Sequence, residues 1–242
     1  MRGAPLSEPY SGTGWRVVEA QHKVSTLKLV DTMAEQSLLE DILEESKPPL
    51  PAECRGLHYL LATPFRYRPY PHGSRFRRAG LTPGVFYAAE AVETAIAETA
   101  FYRLLFFAES PATPLPDNAA DYTAFAVRLA TGHSVDLTAP PYAEEADRYT
   151  HPTDYEACQA LAERVRAQGC EIIRYRSVRD PQGGANLAVL TCRAFAETTP
   201  SHWQSWKLFL GRKSVQALRD FPPAQLEYGR ADFAADPRLA QA

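Results

Sequence analysis

The stretch LLATPFRYRPYPHGSRFRRAGLTPGVFYAAEAVETAIAETAFYRLLFF, residues 60–107, decides how this chain of 242 residues is organised. Its first half contains an Arg-Tyr pair, Arg66 and Tyr67, and a second basic cluster at Arg75 after a glycine. A guanidinium group is a planar fork of donors that suits phosphate, and neighbouring aromatic rings can stack on a base. An anion and a flat ring together describe a nucleotide, so the stretch predicts a nucleotide pocket.

Glu98 is the unusual residue of the second half. The pattern predicts a helix over residues 91–107, on which the neighbours of Glu98 at three and four positions are Thr94, Ala95, Phe101 and Tyr102. A carboxylate on an apolar face is costly to bury without a partner. Glu98 therefore either forms a structural ion pair with an arginine or meets a hydroxyl group or positive centre of a ligand.

Three blocks in this order carry a resemblance to a known family: FRYRPYPHGSRF, GVFYAAEAVETAIAE and, far downstream, RYRSVRDPQGGANLAVL. Together they resemble the RES-domain family, the toxin half of bacterial RES/Xre toxin–antitoxin pairs. The resemblance covers residues 57–228. It implies an α+β fold with an ADP-ribosyltransferase-like split β-sheet core and flanking helices.

The resemblance also implies an activity and a set of site residues. The family's substrate is NAD, whose nicotinamide–ribose bond would be cleaved without a metal. Catalytic roles would fall to Glu98, Arg75 and Ser177. NAD-binding roles would fall to Arg66, Tyr67, Arg75, Tyr87 and Ser177.

Two departures place the chain near a longer subgroup of the family. About fifty residues precede the first block, and GSRF stands where many relatives have a tryptophan after the arginine. Protein ADP-ribosylation is associated with that subgroup, so water, phosphate and a protein side chain all remain open as acceptors of the ADP-ribose. An Xre-type helix-turn-helix antitoxin is the partner that the resemblance implies.

Two other functions remain as alternatives. The pocket could hold a nucleotide as a signal without chemistry, although a sensor needs no lone carboxylate in an apolar setting. A toxin directed at RNA or DNA could use the arginine-rich loop as a groove. A net charge of −3 and a pI of about 6.1 disfavour a nucleic-acid surface.

Cysteine usage and hydropathy indicate the compartment of the protein and whether it binds a metal or a membrane. The four cysteines, at positions 54, 158, 170 and 192, form no CxxC pair, and we expect idle thiols in a reducing cytoplasm. The N-terminus has no apolar signal core, and no run approaches the ~20 apolar residues of a membrane helix. We therefore expect a cytoplasmic protein without a membrane or metal partner.

Periodicity predicts a helical N-terminal extension, residues 1–50, and one catalytic domain, residues 51–242. One or two amphipathic helices are expected over residues 15–47, as a cap on the sheet or a docking surface, with a further helix over residues 153–168. A long loop is expected over residues 63–82, and the chain beyond residue 230 is expected to be loose. Strands are predicted at residues 57–62, 85–88, 122–129, 134–138, 171–176, 187–192, 203–210 and 224–228.

Overall fold

The structure, a computed structural model, describes residues 8–20, 29–67 and 69–240. Residues 21–28, the middle of the predicted N-terminal helices, lie outside the described residues. The described chain is a mixed α+β fold with a sheet at its centre and helices around it. The predicted fold class is therefore confirmed.

The described residues form eight strands in one sheet: β1 (Glu8–Glu19), β2 (Phe86–Ala89), β3 (Ala120–Asp136), β4 (Ile172–Arg176), β5 (Ala185–Val189), β6 (His202–Leu210), β7 (Ser214–Arg219) and β8 (Ala224–Gly229). Their order in the sheet is β1-β2-β5-β4-β3-β6-β7-β8. The helices are α1 (Met33–Glu45), α2 (Tyr59–Arg66), α3 (Val92–Glu109), α4 (Ala146–Thr150), α5 (Glu156–Ala167) and α6 (Pro237–Ala240).

The sheet divides at the long strand β3. One edge of β3 pairs with β1 in antiparallel fashion, from Tyr122 to Ser134. Its other edge is shared, because β6 pairs with residues 120–126 and β4 pairs in parallel with residues 134–136. Since β1 also pairs with β2, the strands β3, β1, β2, β5 and β4 form a closed ring.

Helix α3 follows β2 after two residues and packs its apolar side chains against β6 and β7. Its alanines and leucines are good helix formers, and the helix ends before Ser110 and Pro111. Phe101 and Leu104 are almost completely buried in a core shared with Trp206 and Val215. This packing fixes the rotation of α3 and hence the direction in which Glu98 projects.

Two predicted elements have the wrong type. Residues 15–19 belong to strand β1 rather than to a helix, while the helix expected further along is present as α1. The predicted strand at residues 57–62 is the beginning of α2, with His58 as its N-cap. A short apolar run does not distinguish a strand from a buried helix by periodicity.

The C-terminal segment is also better ordered than predicted. Strand β7 was not expected, and beyond residue 230 the chain forms a 3-10 turn and α6 with Phe233, Asp236 and Leu239 buried. The carboxylate of Asp236 forms ion pairs with Arg179 and Arg238. The end of the chain is therefore anchored to the main domain.

The expectation of idle thiols is wrong for two of the four cysteines. Cys54 and Cys192 form a disulfide with a Cα–Cα distance of 5.7 Å, whereas Cys158 and Cys170 are buried free thiols. Cys54 closes the 3-10 turn that leads into α2, and Cys192 lies in the turn after β5. The bond therefore fastens α2 to the sheet.

Candidate active site

A cavity of about 900 Å³ lies between β1, β2, α2, α3 and the loop that follows α2. Its wall contains Tyr67, Arg75, Tyr87 and Glu98 from the predicted set of site residues. The predicted site residues Arg66 and Ser177 are not part of the wall. Tyrosine is prominent in the rest of the wall, with Tyr59, Tyr70, Tyr102, Tyr155 and Tyr175.

The carboxylate of Glu98 is held by two side chains. Ser177 Oγ donates a hydrogen bond to Oε1 of Glu98 at 2.7 Å, and Asn186 Nδ2 donates to the same oxygen at 2.6 Å. Among the described residues, Oε2 of Glu98 has no hydrogen-bond partner. One oxygen of the carboxylate is thus fixed, and the other is available in the cavity wall.

Ser177 is buried behind Glu98 and does not reach the cavity. Its Oγ accepts the backbone N–H groups of Arg179 and Asp180, at 3.1 and 3.0 Å. A hydroxyl group that accepts twice has its single hydrogen left for donation, so that hydrogen points at Glu98. The sequence predicts direct contact between Ser177 and the ligand, whereas the structure places it behind the carboxylate.

Arg75 is buried at the cavity wall, with its guanidinium group turned to the backbone of the α4–α5 region. Nη1 donates to the carbonyl of Tyr149 at 2.8 Å and Nη2 to that of His151 at 3.0 Å. The guanidinium carbon lies 4.7 Å from the centre of the Tyr155 ring. Arg75 therefore positions the wall, and its charge adds to the positive potential of the cavity.

Arg66 lies at the end of α2 and does not line the cavity. Its Nε donates to the carbonyl of Pro48 at 2.6 Å, and Nη1 forms an ion pair with Glu44 of α1 at 2.5 Å. The structure therefore brings Tyr67 to the cavity but not Arg66. The arginine of the Arg-Tyr pair links α1 to α2 instead.

Two tyrosines of the cavity wall are kept in the neutral form. Burial raises the pKa of Tyr175 well above its usual value, and the charge of Glu98 raises it further. Burial also raises the pKa of Tyr87, whose hydroxyl group contacts Ser74 Oγ at 2.8 Å and accepts the N–H of Phe76. Tyr87 thereby holds the loop that carries Arg75.

Comparison with protein-family models finds the same family that the three sequence blocks resemble. A model of the RES domain matches residues 50–210. The chain belongs to the RES domain family. No curated protein matches the sequence. Among solved structures, the M. tuberculosis MbcT–MbcA toxin–antitoxin complex is similar, with a TM-score of 0.49 and 16% identity over 84% of this chain and 87% of that chain.

A second arginine of the cavity lies before the matched RES region. Arg16 of β1 donates from Nη1 to the carbonyl of Tyr87 at 3.3 Å, and its guanidinium carbon lies 4.9 Å from the centre of the Phe86 ring. None of the carboxylates in the described ranges forms an ion pair with it. Burial alone lowers the pKa of Arg16 to about 10, as expected for a charge without a counterion.

Arg77 is a further cationic residue of the cavity wall. Its guanidinium lies over the ring of Tyr70, and its Nε is buried without a hydrogen-bond partner in the part of the chain that the structure describes. Neither the sequence pattern nor the family resemblance marks Arg16, Arg77 or Asn186 as a site residue. Arg16 falls in a segment read as helix, and no local pattern marks Asn186 as the partner of Glu98.

Among the described residues, one group of His, Cys, Asp or Glu side chains is close enough to share a metal ion. It consists of Glu53, Cys54 and Cys192, and the two sulfurs are bonded to each other. Within the same ranges, no helix combines the length and apolar character needed to cross a membrane.

Proposed function

We propose that this RES-domain protein binds NAD in the cavity and cleaves the bond between nicotinamide and ribose, as the toxin of a toxin–antitoxin pair. Membership of the RES family supports the reaction class. The observation that carries the proposal is the half-buried carboxylate of Glu98, held by two donors in the wall of a cavity lined by arginines and tyrosines.

The chemistry requires a negative group beside the ribose. When the C–N bond breaks, its electron pair leaves with nicotinamide, and positive charge accumulates on the sugar. A fixed carboxylate stabilises that charge more in the transition state than in the ground state. Oε2 of Glu98 would supply this interaction. The acceptor then donates a lone pair to the sugar carbon and loses its proton.

The diphosphate needs donors at the other end of the cavity. Arg16 and Arg77 fit this role because both line the wall with charge or donors that the described residues leave uncompensated. Arg75 was predicted to be a catalytic and NAD-binding residue; because its guanidinium group donates to the backbone, we propose that it contributes only positive charge to the wall. Tyr67 and Tyr87 would contact the nicotinamide end. For Ser177 we propose a role through Glu98. Binding by Arg66 would require it to leave Glu44.

Nicotinamide release from NAD by the purified protein tests the proposal. Glu98→Gln keeps the size of the side chain, removes its charge, and should lower kcat by about 100- to 1,000-fold. Glu109→Gln, an exposed residue at the end of the same helix, is the matched control and should match the parent. Equal nicotinamide release by the parent and Glu98→Gln would remove Glu98 from the reaction.

Mass spectrometry of the product identifies the acceptor. ADP-ribose indicates water, ADP-ribose 1″-phosphate indicates inorganic phosphate, and a mass increase on a lysate protein indicates ADP-ribosylation. If NAD binds to the parent and stays intact under all three conditions, the protein is the non-catalytic nucleotide-binding module instead.

The partner and the location follow from the same proposal. An Xre-type helix-turn-helix antitoxin would neutralise the enzyme by blocking the cavity or its mouth, within the cytoplasm where NAD is available. Co-expression with the neighbouring reading frame, followed by co-purification and a nicotinamide-release assay of the complex, tests this. A complex as active as the free protein would contradict it.

A further inference from the structure

Asn186 lies on the central strand β5, between β2 and β4, opposite Ala89 and Tyr175 in the sheet register. Only 3% of the residue is exposed, and its side chain faces the cavity beside Glu98. A position in the middle of a sheet normally holds an apolar or β-branched residue. A buried amide there is costly unless it is hydrogen-bonded.

The orientation of the amide is fixed by its neighbour. Nδ2 lies 2.6 Å from Oε1 of Glu98. In the reverse orientation the amide oxygen would face a carboxylate oxygen, with two acceptors in contact. The NH₂ group must therefore point at Glu98.

Asn186 and Ser177 act on the same oxygen from different elements. One donor would leave the carboxylate free to rotate about its last side-chain bond. Two donors to Oε1, from β5 and from the turn after β4, fix the plane of the carboxylate. Oε2 is then presented in one direction, which is the condition for a group that must meet a single atom of a substrate.

We propose that Asn186 is a positioning residue of the reaction, which orients Glu98 so that Oε2 faces the ribose carbon of the bound dinucleotide. This inference rests on the proposed function. Asn186 does not itself touch the reacting atoms. Its role is to hold the carboxylate plane and to keep Oε1 out of the reaction.

Asn186→Leu and Asn186→Asp test the inference. Both remove the donor, and the aspartate also places a second negative group beside Glu98. Loss of one hydrogen bond to a charged group lowers kcat by about 10- to 150-fold, while the KM for NAD should remain nearly unchanged. Asn118→Asp, at an exposed loop position, makes the same charge change away from the cavity and serves as the control.

The pH profile separates positioning from a merely structural role. Repulsion from the new carboxylate opposes the charge of Glu98, so the acid limb of the kcat profile of Asn186→Asp should move to higher pH. Asn118→Asp should keep the profile of the parent. Equal kcat values and equal profiles for the Asn186 variants and the parent would overturn the inference.

A measurement without turnover distinguishes the two proposals. The ¹³C resonance of the Glu98 carboxyl, assigned by its loss in Glu98→Gln, should have different chemical shifts in the parent and in Asn186→Leu at one fixed pH. If the parent releases no nicotinamide, the proposed function fails, and this comparison still decides whether Asn186 holds Glu98. Identical chemical shifts would refute the contact. Should Asn186→Leu not fold, the isosteric Asn186→Asp gives the same comparison.

Discussion

Removal of the Cys54–Cys192 disulfide should destabilise the protein strongly. The two cysteines are 138 residues apart, so the bond closes more than half of the chain into one loop. In the chain-entropy model, closing a loop of that length in the unfolded state contributes about 5 kcal/mol. Residual structure in the unfolded chain reduces this value, so we expect a loss of about 2–5 kcal/mol.

Guanidinium chloride unfolding of the double variant Cys54→Ala/Cys192→Ala, beside the parent, measures this loss. A decrease of that size is a large part of the 5–15 kcal/mol typical of a folded domain. Dithiothreitol should lower the midpoint of the parent and leave that of the double variant unchanged. The variant itself therefore serves as the control for the reductant.

Thiol titration of the unfolded, unreduced protein tests whether the disulfide is formed. The structure predicts two reactive thiols, from Cys158 and Cys170. Four thiols would show that the bond is not formed. Two thiols together with an unchanged free energy of unfolding in the double variant would instead refute the loop-closure argument.

Three further outcomes are expected. Arg16→Gln should weaken ADP-ribose binding, measured by calorimetry, about 10- to 100-fold, because a charge-assisted contact to phosphate is lost. The control Arg128→Gln, at an exposed position, should bind ADP-ribose as the parent does. Equal affinities of Arg16→Gln and the parent would exclude Arg16 from the site. Leu104→Ala should lower the free energy of unfolding by about 2–5 kcal/mol, since Leu104 is 1% exposed within the core. A loss below about 1 kcal/mol would show that the core collapses into the cavity left by the leucine side chain. The two hydrogen bonds from Arg174 lower the pKa of Glu90 against an opposing effect of burial. Because the folded-state pKa lies below the ordinary value of 4.5, the pair stabilises the fold above pH 4.5, and this stability is lost as the pH falls through the folded-state pKa. Glu90→Gln should therefore lose less stability than the parent on acidification, and parallel losses would contradict this assignment.

The sequence predicted best where one periodic pattern extended over many residues. The helix expected at residues 91–107 is α3, Val92–Glu109, and the strand expected before it is β2. Alternation over residues 122–129 likewise predicted part of β3, Ala120–Asp136. In these segments the local pattern and the tertiary packing favour the same structure.

Prediction failed where contacts between residues distant in sequence determine the local structure. Strand β1 presents side chains of intermediate burial on both faces, so it carries no clear alternation, and β7 is only six residues long. The pairing of Cys54 with Cys192 is not contained in their spacing. Residues that meet only through the sheet leave no local signal in the sequence.

The same reason limits what the sequence indicates about the candidate site. Glu98 and Arg75, both named as candidate site residues, line the same cavity, whereas the direction of Arg66 depends on Glu44, a residue of a different helix. Asn186 was overlooked because an amide within an apolar strand reads as an ordinary strand position. Its partner, Glu98, is 88 residues away.

The pairing of β1 with β3 has a consequence for any shortened version of the protein. A fragment that begins at residue 50 would leave a row of ten consecutive partner positions on β3, residues 122–131, without their neighbour strand. An uncovered strand edge of that length recruits other chains in edge-to-edge association. Such a fragment should precipitate on expression even though it retains Glu98 and Arg75.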